Sequence, residues 1–316
     1  MTSQKILLTG ATGFVGQQIL RQLPQQARVF GRTKPARDCH FFAGELSANT
    51  DYRAALSGVD VVIHCAARAH VMNETAINAA ELYQDINTHA TLALAEQAAA
   101  SSVKRFIFIS SIKVNGESTS GRMPFTSSDQ PCTSDHYGQS KLEAENRLKD
   151  LAAKTGLEVV IIRPTLVYGL GVKANFASLM RLISKGMPLP FGCIAKNKRS
   201  LVSVDNLVDL IITCIDHPKA ANQVFLVSDD HDVSTSEMVR ELAIALGKPT
   251  WQLPVPIWCY KLFGKLFGKS DIVDRLTGSL QVDISHTKET LGWKPPQTLQ
   301  EGFKQTAQAF LQANNK

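Results

Sequence analysis

The chain has 316 residues, 44% hydrophobic and 20% charged, the balance of a globular protein of about two domains rather than a disordered, collagen-like or disulfide-stapled chain. Lys and Arg number 34 against 28 Asp and Glu, for a formal charge of +6; these basic residues are spread along the chain, unlike those of a nucleic-acid binder, so the excess reads either as affinity for a small anionic ligand or as solubility alone. The longest apolar runs fall short of the roughly 18 residues that span a bilayer, and the opening residues lead into Ile6-Leu7-Leu8 without a signal-like segment, which points to a cytoplasmic protein with no membrane span.

Residues 5–9 read as a short buried strand. The glycine run Thr9-Gly10-Ala11-Thr12-Gly13-Phe14-Val15-Gly16 follows, opening a helix over 14–23 that stops before Pro24. Strands are expected at 27–30 and 60–64, the second an unbroken apolar run of the kind a sheet covered on both faces needs. An Ala-rich helix over 79–100 precedes a strand at 105–110, a helix over 136–155 ending at Gly156, and a strand at 157–163. Alternation of this kind implies a parallel sheet with right-handed crossovers.

After Arg163-Pro164 the rhythm changes and Pro and Gly become denser. Ser234-x-x-Glu237 is a capping box for a helix ending at Gly247. The stretch 251–267 is apolar with interspersed Lys, and is expected to pack inside a C-terminal lobe, with a membrane-surface helix as the other reading. The whole reads as an α/β protein with a Rossmann-type doubly wound parallel sheet and a smaller C-terminal substrate-binding lobe. Residues 1–167 and 200–228 are assigned mainly to the first, 168–199 and 229–316 mainly to the second.

The glycine run has G-x-x-G-x-x-G spacing between a strand and a helix. Gly10 allows the tight turn, Gly13 lets backbone approach a pyrophosphate, and Gly16 lets helix pack on sheet. The diphosphate then meets the positive helix N-terminus. At the end of the next strand an acid would bind the 2′-hydroxyl of NAD; Gly31-Arg32-Thr33 has none. Arg32 reads either as a partner for a 2′-phosphate or as a solvated arginine, so NADP(H) is favoured and NAD(H) kept open. In Tyr137-Gly138-Gln139-Ser140-Lys141 a helix puts phenol and ammonium on one face. A neighbouring ammonium and an oxidised nicotinamide are expected to lower the tyrosine pKa, fitting it to exchange a proton with an alcohol. The six cysteines show no C-x-x-C spacing and read as buried free thiols, and the eight histidines form no metal-ligand set.

These residues, with His64-Cys65-Ala66-Ala67, Asn87, Ser110-Ser111, Arg163-Pro164 and Val204-Asp205-Asn206, closely resemble the extended short-chain dehydrogenase/reductase family over nearly the whole chain. The resemblance implies that Ser111 holds the reacting hydroxyl, Tyr137 is the acid/base, and Lys141 binds the nicotinamide ribose. It implies cofactor contacts at Gly10, Thr12, Gly13, Phe14, Val15, Gly16, Ala66, Ala67 and Pro164, with Asn87 more structural than chemical and Ser110 a strand-end hydrogen-bonding residue. It narrows to enzymes of UDP-sugars. There Asn175 resembles an asparagine that touches the nucleotide diphosphate, and Arg199 an arginine that grips it, with Arg275 acting likewise; a surface arginine is the other reading for each of the two. Arg68 and His70 face the sugar or serve the core or surface, and Lys113 reaches the substrate or is solvated.

Ile112-Lys113 stands where a 4,6-dehydratase of this family has Asp-Glu, which rejects that reaction. The run 110–117 resembles a bacterial O-antigen group that includes 4-reductases of UDP-4-keto-6-deoxy-N-acetylhexosamines. The leading expectation is therefore an NADPH-dependent 4-ketoreductase of such a sugar. The alternative is a 4-epimerase of UDP-glucose or a UDP-N-acetylhexosamine that keeps NAD bound. A non-catalytic dinucleotide sensor is a minor third. A free nucleotide sugar and a lipid-linked diphosphosugar remain open as substrates, as do a homodimer through helices 79–100 and 136–155 and a monomer.

Overall fold

The structure, a computed structural model, describes residues 4–68, 79–172 and 174–314. In chain order the elements are β1 (Ile6–Thr9), α1 (Phe14–Gln22), β2 (Arg28–Gly31), β3 (His40–Ala43), α2 (Arg53–Leu56), β4 (Val61–His64), α3 (Ala79–Gln84), α4 (Ala90–Ala100), β5 (Arg105–Ile109), α5 (His136–Thr155) and β6 (Glu158–Pro164). Then follow β7 (Leu166–Tyr168), α6 (Ala174–Ser184), β8 (Arg199–Ser203), α7 (Val204–Asp216), β9 (Val224–Val227), β10 (Asp232–Val233), α8 (Thr235–Ala245), α9 (Ile257–Leu266), α10 (Ser270–Thr277), α11 (Ser285–Leu291) and α12 (Leu299–Asn314).

Seven strands form one sheet in the order β3-β2-β1-β4-β5-β6-β9, every pair parallel. This is a Rossmann-type doubly wound arrangement. Its inner strands β1, β4, β5 and β6 are largely apolar because both faces are covered, and alternate residues serve different layers. Ile6, Leu8, Val61, Ile63, Ile107, Ile109, Val160 and Ile162 join Ile19 of α1 and Leu207 and Ile211 of α7 in one core. Leu7, Val62, Phe106, Phe108, Val159 and Ile161 point the other way, against Leu94 of α4 and Leu148 of α5. A second, three-stranded sheet has the order β10-β8-β7. Its core gathers Tyr168, Leu201 and Val233 with Phe176, Met180, Leu242 and Phe303 from α6, α8 and α12.

Local signals place the helices that carry the site. Asp135 caps α5 by accepting a hydrogen bond from the Gly138 amide at 2.7 Å, and Gly156 ends it in the left-handed region. Ser234 and Glu237 form the expected reciprocal capping box on α8.

Three features depart from the sequence reading. The expected single helix over 79–100 is α3 and α4 joined by a five-residue π turn, Asp85–His89. The short elements β3 and α2 were not anticipated. The stretch 251–267 does not pack inside the C-terminal lobe: of α9 only Gly264 is buried, and α10 has no buried residue. Among the cysteines, all free, Cys214 is buried but Cys132 is exposed. No helix among the described residues is long and apolar enough to cross a membrane.

Candidate active site

The chain reverses direction across the sheet at β1, whose neighbours are β2 and β4. In open α/β sheets such a switch point opens a crevice at the carboxyl ends of the strands. Here the loop after β1 meets the loop after β4 so closely that only glycine fits. A Cβ on Gly10, which has φ +75°, would stand 2.6 Å from the Ala66 amide nitrogen, and one on Gly16 would stand 2.1 Å from the Gly10 carbonyl oxygen. Gly13 caps α1 without a side-chain hydrogen bond, and the first turn carries no acid. The first N–H groups of α1 are thus open donors at a positive helix end. That arrangement fits a dinucleotide diphosphate.

A cleft of about 390 Å³ extends from this loop, lined by Gly10, Thr12, Gly13, Arg32, Ala66, Ala67 and Arg68 among others. Phe14 and Val15 turn instead toward the core under the sheet, and Pro164 ends β6, paired with Val227. Sequence reasoning missed Glu45, Leu46 and Ile86 in the cleft wall. Glu45 follows β3, and the unrecognised strand hid it. The cleft therefore holds the Glu45 carboxylate as well as Arg32 and Arg68, and Arg32 alone does not select a 2′-phosphate.

Beyond the cleft, Asn87 ties three elements together. Its Oδ1 accepts from the Arg68 amide at 2.8 Å, and its amide donates to the Arg68 carbonyl at 3.1 Å and to Ser140 Oγ at 3.0 Å. Ser140 adjoins Lys141. The π turn presents Asn87 and Thr88 together to α5, where Thr88 donates to the Ser140 carbonyl at 2.9 Å.

The structure brings Ser111 and Tyr137 into side-chain hydrogen-bond contact. Burial pushes the Tyr137 phenol up to about 12, with Asp135 and Tyr83 adding to the rise and the Ser111 contact opposing it. The lowering expected from Lys141 is absent for a geometric reason. The ammonium turns inward, donating to the Ile109 carbonyl at 2.8 Å and lying 4.3 Å from the Phe108 ring centroid. Burial brings Lys141 down to about 8. Tyr83, a second residue missed in the sequence, sets its ring edge-on to Tyr137 at 6.1 Å.

Other candidates have evident partners. Ser110 donates to Glu145 at 2.5 Å, and Glu145 pairs with buried Arg163, which also donates to Asn115 at 2.9 Å. Lys113 pairs with Asp135, the α5 cap, and with Glu117 at 2.9 Å. Arg199 donates to the Arg275 carbonyl at 2.8 Å, so the two arginines stand together, and burial with the Arg275 charge lowers the Arg199 pKa. Asn175 falls in the first turn of α6; its side chain, like the whole of His70, lies outside the described residues.

A glycine cradle at the switch point, followed by a serine–tyrosine–lysine set beside the next strand ends, is the plan of an extended short-chain dehydrogenase/reductase. The chain belongs to the NAD dependent epimerase/dehydratase family, whose sequence pattern it matches over residues 6–228, and it is an enzyme of that type. The UDP-glucose 4-epimerase of Vibrio cholerae is 66% identical to it over 99% of this chain and 97% of its own. An Escherichia coli O157:H7 protein, N-acetyl-alpha-D-glucosaminyl-diphospho-ditrans,octacis-undecaprenol 4-epimerase, is 27% identical over 97% of this chain and 95% of its own. The fold is shared with the crystal structure of a UDP-glucose 4-epimerase from Thermotoga maritima, at a TM-score of 0.78, 22% identity and coverage of 98% and 99% of the two chains.

The likeness to the Vibrio cholerae epimerase overturns the expected 4-ketoreductase. The sequence features behind that expectation do not separate the two reactions. Both exchange a proton at O4 through the same hydroxyl groups, and an exposed arginine beside a carboxylate does not fix the cofactor.

Proposed function

We infer that the chain is a 4-epimerase of a UDP-hexose, UDP-glucose or a UDP-N-acetylhexosamine, acting with NAD. The observation that carries this reading is the 66% identity, over 99% of this chain, to a UDP-glucose 4-epimerase. The site is consistent with it. Bound NAD supplies reversible hydride acceptance at the sugar carbon. The residues here supply the rest: the loop 10–16 and the α1 amides hold the diphosphate of the cofactor, and Glu45 and Arg32 border its cleft. Ser111 hydrogen-bonds the sugar O4, and Tyr137 takes the O4 proton and returns it. The high pKa of the phenol keeps that proton on Tyr137 until a nearby positive charge favours the phenolate. Arg199, half-buried and fixed to the end of α10, with Arg275 beside it, grips the UDP diphosphate. Binding there, remote from the reacting carbon, orients the sugar.

The test is direct. Purified protein is incubated with UDP-glucose and, separately, UDP-N-acetylglucosamine, with NAD supplied, and the products are resolved by proton NMR. The C4 epimer is expected from at least one sugar. Failure with both sinks the reading.

A further inference from the structure

α9 and α10 present a surface that the active site does not use. In α9, Trp258, Leu262 and Leu266 follow one another at four-residue spacing, with Phe263 and Phe267 in a parallel row beside them. These five and Ile272 of α10 are between 49% and 69% exposed. The Phe263 and Phe267 rings stack at 6.4 Å. The helices are held to each other at Gly264, where a Cβ would stand 2.7 Å from Val273 Cγ2, so the outward faces are free of the core. Patches of apolar surface beyond a few hundred Å² are unusual on monomeric soluble proteins and mark interaction sites.

Charge decides what covers this one. Lys261 and Lys265 of α9 lie along one border of the apolar face, Lys269 follows at the start of α10 beyond the left-handed turn at Gly268, and residues 251–270 contain no acid. Adding Asp271, Asp274 and Arg275, the span 251–278 holds four basic and two acidic residues. A second copy would bring the same acid-free face to a two-fold contact, so residues 251–270 of one copy offer no carboxylate to the lysines of the other. An anionic bilayer surface neutralises them and takes the aromatic and leucine side chains into its headgroup boundary, while the lysine stems lie along apolar surface with their ammoniums in water. No helix among the described residues can cross a bilayer, so the contact is interfacial.

We propose that α9 and α10 form a docking surface for anionic lipid membranes. The surface abuts the proposed substrate side of the site, because the α10 carbonyl of Arg275 accepts from Arg199. Docking holds that side of the enzyme at the bilayer.

The full chain is mixed with vesicles of phosphatidylcholine, with and without phosphatidylglycerol, and followed by flotation and tryptophan emission. Trp251 and Trp258 are 59% and 66% exposed, whereas Trp293 is 5% exposed; a blue shift on vesicle addition therefore reports the patch. Flotation with the anionic vesicles is expected. Leu262→Gln with Phe263→Gln should weaken it by roughly tenfold or more. Lys261→Gln, Lys265→Gln and Lys269→Gln together should weaken it on the order of a hundredfold, on anionic vesicles only. No flotation at low salt overturns the proposal. So does flotation indifferent to the apolar pair, which would be adsorption of a basic chain. Sedimentation showing self-association that the apolar pair abolishes assigns the face to a second copy and overturns it as well. Thermal melts check that each variant is folded, and epimerase turnover on a water-soluble sugar nucleotide should be unchanged, so failure of the activity reading and failure of this one are told apart.

Discussion

Lys141 is 1% exposed yet carries an ammonium. Its bond to the Ile109 carbonyl and the Phe108 ring do not offset the water it loses, and its pKa falls from 10.5 to about 8. A depressed lysine pKa means that the unfolded chain binds more protons between pH 8 and 10.5, so this group makes stability rise with pH across that window. Below pH 8 its charge costs on the order of 3 kcal/mol. Lys141→Met should therefore melt higher than the parent at pH 7, and the advantage should shrink from pH 8 to 10.5; urea titrations at several pH values check this. The same variant should lose turnover, a cost in stability retained for function. Tyr137→Phe keeps the ring against Tyr83 and removes the hydroxyl that meets Ser111. Its turnover should fall about a hundredfold or more with UDP affinity little changed; near-normal turnover would take the phenol out of the reaction.

At the scale of elements, the π turn Asp85–His89 is the piece that joins cofactor cleft to proton-transfer set. Asn87, fully buried, spends three hydrogen bonds on Arg68 and Ser140. Asn87→Leu keeps the volume but strands the Arg68 amide. One unsatisfied buried group costs about 1–3 kcal/mol, and a urea midpoint lowered in that range is expected, with turnover falling because Ser140 adjoins Lys141. A midpoint equal to the parent's would mean that water replaces the asparagine. The family resemblance marked Asn87 as structural, but the π turn that presents it and the partners it holds were not legible in the sequence. The 79–100 pattern is helical by composition and period, and the extra residue of a π turn is set by partners 19 and 53 positions away. The capping box at Ser234 and the helix over 136–155 with its stop at Gly156 were legible, because their signals are local. The stretch 251–267 was misplaced for a complementary reason. Apolar composition states that a surface leaves water and is silent on what it leaves water for.

Across the whole molecule, the parallel sheet follows from the alternation of strands and helices, though its strand order does not, and the glycine run marks the loop that borders the crevice. What the sequence did not reveal was the far wall of that crevice, because β3 is four residues at the sheet edge, two of them exposed and two half-buried, and too short to show a period. That wall brings Glu45 opposite the reading drawn from Arg32. The two residues make opposite demands on a cofactor, and a ligand that binds only the folded chain reports which prevails. At a hundredfold excess over its dissociation constant a ligand stabilises the fold by about 2.7 kcal/mol, which for a chain of this size raises the melting temperature by roughly 4 °C. NAD is expected to give a shift of that order and NADP at the same concentration a smaller one, since the Glu45 carboxylate in the cleft wall disfavours a further phosphate charge. Glu45→Gln removes the repulsion while Arg32 stays, so the gap between the two nucleotides should narrow in that variant. Thermal shifts larger with NADP than with NAD in the parent chain would show that Arg32 prevails over Glu45, and would remove NAD from the proposed reaction.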